Sequence, residues 1–160
     1  MQIRIRSTGQ VLLQHEWEKW VAQTYAKSLS GISEEAVNRF ESDIVFEGPQ
    51  ATGGTVYQYS QQDGVEQLDG KWYTKYILGP VFTDGETTAA EQEAAYKAMK
   101  DAEQAANVRN QRTEKLKDCD WTQIADSTAD KAVWATYRQA LRDITAQSGF
   151  PWTITWPTQP

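Results

Sequence analysis

Hydrophobic and polar residues follow two different periods along residues 1–47. Alternation with a period of two predicts a half-buried strand, whereas apolar residues three and four positions apart predict an amphipathic helix. These patterns predict a strand over residues 2–6, a helix over 14–26, a second helix that begins after the N-cap residue Ser33, and a strand over 42–47.

Turn-forming residues divide the following segment into three predicted strands. The strands span residues 55–59, 65–68 and 71–78, and they are separated by Gln62-Asp63-Gly64 and Asp69-Gly70. Asp-Gly between alternating apolar residues is a strong hairpin signal, because glycine adopts positive φ at little cost. We therefore expect an antiparallel β-meander, which makes residues 1–85 a small α+β domain with one or two helices.

Alanine dominates the sequence after residue 85. Residues 86–118 contain no Gly or Pro and are rich in Ala, Glu, Gln, Lys and Arg, which favour a long helix. Thr87 or Thr88 is expected to cap this connecting helix, and Glu91 completes a capping box with Thr88. Its apolar stripe consists of Ala95, Met99, Ala102 and Ala106. Two interpretations stay open: a solvated helix, or one that pairs with itself or with a partner through this stripe.

The sequence pattern of residues 119–160 predicts a helical module that ends in an extended tail. Cys119-Asp120-Trp121 marks a break, and residues 127–130 form an N-cap region. The next helix has a predicted apolar face made of Val133, Tyr137, Ala140 and Ile144, with Trp134 and Leu141 on its flank. A short connection between two helices predicts a helical hairpin.

The tail, residues 146–160, is rich in proline and tryptophan. Its prolines and the residues before them favour extended backbone. An extended tail has too few sequence neighbours to bury its large aromatic side chains, which are Phe150, Trp152 and Trp156. These side chains therefore either pack back on the protein or bind a partner.

The net charge and the small number of reactive side chains disfavour several classes of function. Lys and Arg total 16 and Asp and Glu total 22, and this net charge of −6 disfavours nucleic acid and anionic membranes as partners. One Cys and one His cannot form an internal disulfide or a Cys/His zinc site. His15 lies on a predicted amphipathic helix, and acidic neighbours disfavour a reactive thiolate at Cys119. We expect no catalytic residues, no metal and no cofactor, and an intermolecular disulfide through Cys119 stays open.

Two further function classes would use residues of the first domain. A carbohydrate-binding adhesin would stack sugar rings on Trp72, Tyr73, Tyr57 and Tyr59. Strand alternation places Trp72 and Tyr73 on opposite faces, so one sugar site cannot use all four rings. A glycosidase would use Asp63 and Glu66 as acid and base, although Asp63 is better explained as a turn residue.

Three motifs near the carboxyl end resemble those of bacteriophage tail fibre assembly proteins and the related phage tail assembly chaperones. One is Trp134-x-x-Tyr137-Arg138-x-x-Leu141, and another is the terminal Trp156-Pro157-x-x-Pro160. The third runs from Arg109-Asn110 through Leu116 and Cys119-Asp120-Trp121-Thr122-Gln123 to Asp126-Ser127. The resemblance covers about residues 109–160, a third of the chain.

This resemblance implies a non-catalytic chaperone that works in the host-cell cytoplasm. Such a chaperone binds the tip of the trimeric tail fibre while the tip folds and trimerises, and some members stay on the virion. The expected partner-binding residues are Trp134, Tyr137, Arg138, Leu141, Phe150, Trp152, Trp156 and Pro157. In a second interpretation the helix residues hold the hairpin together and the tail is a clasp. A structural tail or fibre subunit is the alternative function.

Overall fold

The chain folds into two compact units, each with its own hydrophobic core. A computed structural model describes residues 1–27, 29 and 31–160. Unit 1 comprises Met1–Val81 and unit 2 comprises Phe82–Pro160. Among the residues just given as described, the core cluster of unit 1 contains none from unit 2, and that of unit 2 contains none from unit 1. The α+β class expected from the sequence is confirmed.

A five-stranded curled sheet with two helices forms unit 1. In chain order its elements are β1 (Gln2–Ile5), β2 (Val11–Leu13), α1 (Gln14–Tyr25), α2 (Glu34–Arg39), β3 (Ser42–Phe46), β4 (Tyr59–Leu68) and β5 (Lys71–Gly79). The strand order is β2-β1-β3-β5-β4. Neighbouring strands are antiparallel except β3 and β5, which are parallel.

Side chains from alternate positions of β1 build the core of unit 1. Ile3 and Ile5 are fully buried and pack with Trp17 and Val21 of α1. The indole Nε1 of Trp17 donates a 3.0 Å hydrogen bond to Oγ of Ser42, which satisfies a buried polar group. The predicted strand at residues 2–6 and the predicted helix at 14–26 are thereby confirmed, and Ser33 caps α2 as expected.

The hairpin predicted at Asp69-Gly70 is confirmed, whereas the strand predicted over residues 55–59 is wrong except at its last residue. Asp69 and Gly70 both have positive φ, 48° and 78°, as a tight two-residue hairpin turn requires. Residues 55–58 form a turn instead of a strand, because Gln58 N–H donates to the carbonyl of Thr55 and the Gln58 amide oxygen accepts from Thr55. β4 begins at Tyr59.

The segment Gln62-Asp63-Gly64 is a bulge within β4 and not the predicted turn between two strands. The register of β4 on β5 shifts between Gln62 and Val65, and Gly64 has φ +76°. The Asp63 carboxylate pairs with Nζ of Lys75 on β5 at 3.3 Å, which ties the bulge to its neighbour. A hairpin turn and a bulge both use a glycine with positive φ, so the Asp63-Gly64 pair that predicted a turn forms a bulge instead.

The parallel pair of β3 and β5 has no local sequence signal. Gly48 follows β3, and its N–H donates a 2.8 Å hydrogen bond to Oγ1 of Thr74 on β5. A Cβ atom at Gly48 would collide with the Thr74 carbonyl, so only glycine allows this close approach.

Unit 2 consists of a long helix, a second helix and a carboxyl-terminal segment. α3 spans Ala89–Asp118, a 3₁₀ turn follows at Asp120–Gln123, α4 spans Lys131–Arg142, and a second 3₁₀ turn covers Asp143–Ala146. Thr88 and Glu91 form the predicted capping box: Thr88 Oγ1 accepts from Glu91 N–H at 3.2 Å, and the Glu91 carboxylate accepts from Thr88 N–H at 2.9 Å. No helix in the described ranges has both the length and the apolar character of a membrane span.

The buried faces of α3 and α4 differ from those expected. On α4 the expected face residue Val133 is exposed, and the buried residues are Trp134, Tyr137, Arg138 and Leu141. The predicted face was wrong at Val133, whereas Tyr137 and Ile144 are buried as expected, together with the flanking Trp134 and Leu141. The larger side chains bury more apolar area than valine. On α3 the stripe of Ala95, Met99, Ala102 and Ala106 lies on the exposed side, while Ala105 and Val108 are buried.

Candidate partner-binding module

Arg138 of α4 joins the carboxyl end of α3 to the loop that follows it. Its Nη1 donates to the backbone carbonyl of Leu116 at 2.9 Å and contacts Sγ of Cys119 at 2.9 Å. Its Nη2 forms a 2.8 Å ion pair with the carboxylate of Asp120. The Leu116 carbonyl belongs to the last turn of α3, where carbonyl groups lack helical partners. One buried side chain thus caps α3 and fixes the start of the loop.

The surroundings of Arg138 keep it charged inside the module. Burial alone would lower the pKa of its guanidinium, but hydrogen bonds to Asp120 and Cys119 outweigh burial and raise that pKa above its ordinary value. Burial raises the pKa of the neighbouring Tyr137 phenol, with a further contribution from Cys119 and Asp118. A charged guanidinium and a neutral phenol are therefore the stable states of this pair at neutral pH.

Cys119 is fully buried at the junction of α3 and the 3₁₀ turn. Its Sγ donates to the Leu116 carbonyl at 3.2 Å, and its own carbonyl accepts from Oγ1 of Thr122 at 2.7 Å. The charged group in contact with Sγ of Cys119 is the guanidinium of Arg138, at 2.9 Å. The acidic residues next to Cys119 in the sequence did not indicate this cationic contact. An intermolecular disulfide through Cys119 would require this junction to open.

Three aromatic rings connect the interior of unit 2 to its surface. Trp134 makes edge-on contacts with Tyr137 at 5.7 Å and with Trp121 at 5.6 Å between ring centroids. Trp134 and Tyr137 are buried, whereas Trp121 is 51% exposed. Trp121 is therefore a surface ring that rests on a buried one.

The segment after α4 runs back along α3 and packs against it. Phe150 lies 5.4 Å from the guanidinium of Arg109, the Pro151 carbonyl accepts from Gln104 at 3.4 Å, and Trp152 Nε1 donates to the carboxylate of Asp101. The chain then turns back, and the ring of Trp156 lies 5.3 Å from Nζ of Lys115. Phe150, Ile154 and Trp156 pack on the core of unit 2.

A sharp turn replaces part of the extended tail expected from the sequence. Thr153 N–H donates to the Gly149 carbonyl at 2.7 Å, and the Gln147 side chain both donates to and accepts from the backbone of Thr155. A Cβ at Gly149 would collide with the Thr153 carbonyl. Within the predicted tail, residues 147–153 therefore form turns and bends. Residues 154–160 have no assigned secondary structure.

The eight residues expected to bind a partner fall into two groups. The buried group consists of Trp134, Tyr137, Arg138 and Leu141, and the half-buried group consists of Phe150, Trp152, Trp156 and Pro157. Exposed apolar side chains that the expectation did not include are Trp121, Ile124 and Val133. Trp121 lies in the third motif, so the sequence pointed to this residue. The motif does not show whether the Trp121 side chain is exposed.

Some residues of the alternative sites already have partners within the protein. The ring of Trp72 is covered by the guanidinium of Arg4, which lies 4.0 Å from its centroid. Asp63 is paired with Lys75, and His15 lies on the exposed side of α1. Within residues 1–27, 29 and 31–160, no three His, Cys, Asp or Glu side chains are arranged to hold a metal ion.

Comparison with known families agrees with the motifs. Residues 105–160 match the family described as phage tail assembly chaperone protein. Searches of curated proteins and of solved structures give no significant match. The matched segment begins in α3 and contains α4, the Arg138 junction and the packed carboxyl-terminal segment. This carboxyl-terminal third of the chain is therefore similar to phage tail assembly chaperones, which supports a role for the chain in phage tail assembly.

Proposed function

We propose that the chain is a non-catalytic chaperone of tail fibre assembly that binds the fibre at its tip and assists its folding and trimerisation. The observation that carries the proposal is the family match over residues 105–160. Its place of action is the cytoplasm of the host cell, where tails are assembled, and retention on the virion is part of the proposal.

The aromatic side chains of unit 2 have the chemistry that this activity needs. A fibre subunit that has not yet trimerised exposes strand edges and apolar patches, which promote aggregation. Aromatic rings cover such patches with little loss of side-chain entropy and without demanding one sequence. Trp121 is exposed, and Phe150, Trp152 and Trp156 are half-buried.

We assign different roles to the two groups of expected site residues. Trp134, Tyr137, Arg138 and Leu141 are buried, so in this conformation they act by holding the module in shape. The half-buried group keeps part of each ring or side chain accessible and supplies direct contacts with the fibre. Self-association through residues 86–118 stays a prediction. The stripe of Ala95, Met99, Ala102 and Ala106 on α3 is exposed and is available for such a contact.

The test is expression of the phage's own fibre protein with and without this chain. We expect soluble fibre trimer, measured by size-exclusion chromatography with light scattering, to fall or aggregate when the chain is absent. Affinity capture on a tag of this chain should recover the fibre. A fibre that trimerises alone and does not bind the chain would overturn the proposal. Presence at fixed stoichiometry in particles, without any effect on fibre folding, would favour a structural tail subunit.

A further inference from the structure

The cationic side chains of α3 differ in how their charge is balanced. The lysines that pair with a glutamate of the same helix are Lys97 with Glu93, Lys100 with Glu103, and Lys117 with Glu114. Three further cations lie on this helix, and within the described ranges none of them forms an ion pair. They are Arg109, Arg112 and Lys115, and we call them the cationic face of α3.

The cationic face lies beside two rings of the carboxyl-terminal segment. The guanidinium of Arg109 is 5.4 Å from the centroid of the Phe150 ring, and Nζ of Lys115 is 5.3 Å from that of the Trp156 ring. Arg112 is three positions from each of these cations, and helix residues with this spacing are neighbours on one face. An aromatic ring attracts a cation but carries no net charge. These contacts therefore hold the cations in place without neutralising them.

The carboxylates of the surrounding chain do not neutralise this face either. Those that have other partners are Asp101 with Trp152, Glu103 with Lys100, Glu114 with Lys117, and Asp120 with Arg138. Asp118 forms no ion pair with any of the three cations in the part of the chain that the structure describes. α4 contains no acidic residue, and residues 144–160 contain none. The elements packed on this part of α3 thus supply no counter-charge.

The stability of α3 does not account for the arrangement. Neighbouring like charges on a helix repel one another and destabilise it. The helix dipole favours cations within the last turn, which includes Lys115 but neither Arg109 nor Arg112. An anion from outside the chain would relieve the repulsion between these neighbours.

Arg112, at the centre of the face, is suited to bind a carboxylate. Its side chain is half-buried, and its Nε is buried without an acceptor among the described residues. Its Nη1 and Nη2 have no hydrogen bond there and are not among the buried atoms, so they reach the surface. A cation that is partly shielded from water attracts an opposite charge more strongly than a fully hydrated one. The planar guanidinium also matches the two oxygens of a carboxylate.

We propose that the cationic face of α3 binds an acidic segment of the tail fibre protein, with Arg112 as the central carboxylate contact. The inference rests on the proposed function, in which the fibre is the partner. The accessible parts of Phe150 and Trp156 add apolar contact beside the charges. Nucleic acid fits less well, because the chain has a net charge of −6. A two-fold contact between two copies would oppose cation to cation, which is unfavourable.

The experiment measures the affinity of the full chain for the fibre protein of the same phage by biolayer interferometry. Arg112→Gln should weaken binding at least about tenfold, as for a hot-spot residue, and Arg109→Gln and Lys115→Gln should each weaken it less. Added salt should weaken binding of the unaltered chain, because charge attraction is screened. The matched control is Arg142→Gln, which removes an exposed arginine of the same unit and should leave the affinity unchanged.

Competition identifies the chemistry of the occupant. A hexaglutamate peptide should displace the fibre from the unaltered chain, and a hexalysine peptide should not. Displacement by hexalysine alone would overturn the proposal. Short duplex DNA that binds the unaltered chain but not Arg112→Gln would assign the face to nucleic acid instead. A dimer seen by light scattering that Arg112→Gln abolishes would assign it to a second copy.

Two results keep the inference distinct from the proposed function. If the unaltered chain binds the fibre and Arg109→Gln and Arg112→Gln bind equally well, the fibre binds elsewhere and only the inference fails. If the unaltered chain does not bind the fibre, both fail. Arg109 is exposed, so its variant tests the face even if Arg112→Gln loosens the module.

Discussion

Arg138 donates a 2.9 Å hydrogen bond to the backbone carbonyl of Leu116, which lies 22 residues earlier in the chain. This carbonyl is at the end of α3 and also accepts from the backbone N–H of Cys119 at 3.3 Å, so a side chain of α4 adds a second donor to the cap of α3. The same guanidinium reaches Cys119 and Asp120 with its planar donors. Geometry of this kind is specific to arginine, since lysine has a single compact donor group.

Replacing Arg138 should destabilise unit 2 specifically. We expect Arg138→Ala to lower the free energy of unfolding by about 2–3 kcal/mol and Arg138→Lys by about 1–2 kcal/mol, because buried acceptors lose their donor. Native-state hydrogen exchange of α4 amides measures this without interference from unit 1. Arg142→Ala is the control, since Arg142 is an exposed arginine of the same helix. Equal effects of the two alanine variants would contradict the capping role.

The contact between Trp152 and Asp101 should hold the carboxyl-terminal segment on α3. Trp152→Phe keeps an aromatic ring but removes the indole N–H that donates to the carboxylate. We expect a loss of about 1.5–3 kcal/mol, typical of a hydrogen bond to a charged group. The variant Asp101→Asn combined with Trp152→Phe should add little further loss. Fully additive losses in this double-mutant cycle would show that the two groups are not coupled.

A methyl group at position 149 should detach the carboxyl-terminal segment. Gly149→Ala places a Cβ against the Thr153 carbonyl, so the turn must open, at a cost of about 1–3 kcal/mol. Faster hydrogen exchange around Val108 and a red-shifted tryptophan emission would report this opening. Gly85→Ala is the matched control in the same unit, because its added Cβ meets nothing within 4 Å. Unchanged exchange in Gly149→Ala would contradict the packing of this segment.

Acid should loosen the first turn of α3. Hydrogen bonds from the backbone and side chain of Thr88 lower the pKa of the Glu91 carboxyl below its ordinary value. A lowered folded-state pKa means that the stabilisation is present above the unfolded-state value and is lost as pH falls through the folded-state value. A carboxyl-detected NMR titration should show the lowered pKa, and Thr88→Val should return it towards the ordinary value. No change in Thr88→Val would exclude a contribution from the Thr88 hydroxyl, because valine keeps the backbone N–H that donates to Glu91.

The thiol of Cys119 should react only when the junction opens. Its complete burial predicts that a thiol reagent modifies the native protein far more slowly than the protein in denaturant. Arg138→Ala should speed the native reaction, since it removes one of the contacts over the sulfur. Rapid modification of the native chain would contradict the burial and reopen the possibility of an intermolecular disulfide.

Local patterns predicted those features that depend on neighbouring residues. The capping box of Thr88 and Glu91 and the Asp69-Gly70 hairpin follow from residues within a few positions. The parallel pairing of β3 with β5 does not, because it depends on contacts between distant segments. Asp63-Gly64 shows the ambiguity that remains even locally, since a bulge and a turn need the same backbone conformation.

Which residues form the candidate site stays a prediction, and the motifs did not indicate which of those residues are buried. The motif spacing identified Trp134, Tyr137, Arg138 and Leu141, yet the same spacing fits a buried face and a binding face. Burial is set by α3, which lies far away in sequence. The exposure of Trp121 was likewise not predictable from the sequence, because it depends on the packing of this ring on Trp134.

Among the described residues, the two core clusters share none. A recombination crossover near residue 81 would therefore keep the residues of each cluster together. The segment similar to tail assembly chaperones lies wholly within unit 2. Recombination at this boundary would join that segment to a different amino-terminal unit while every residue of its own core cluster is inherited with it.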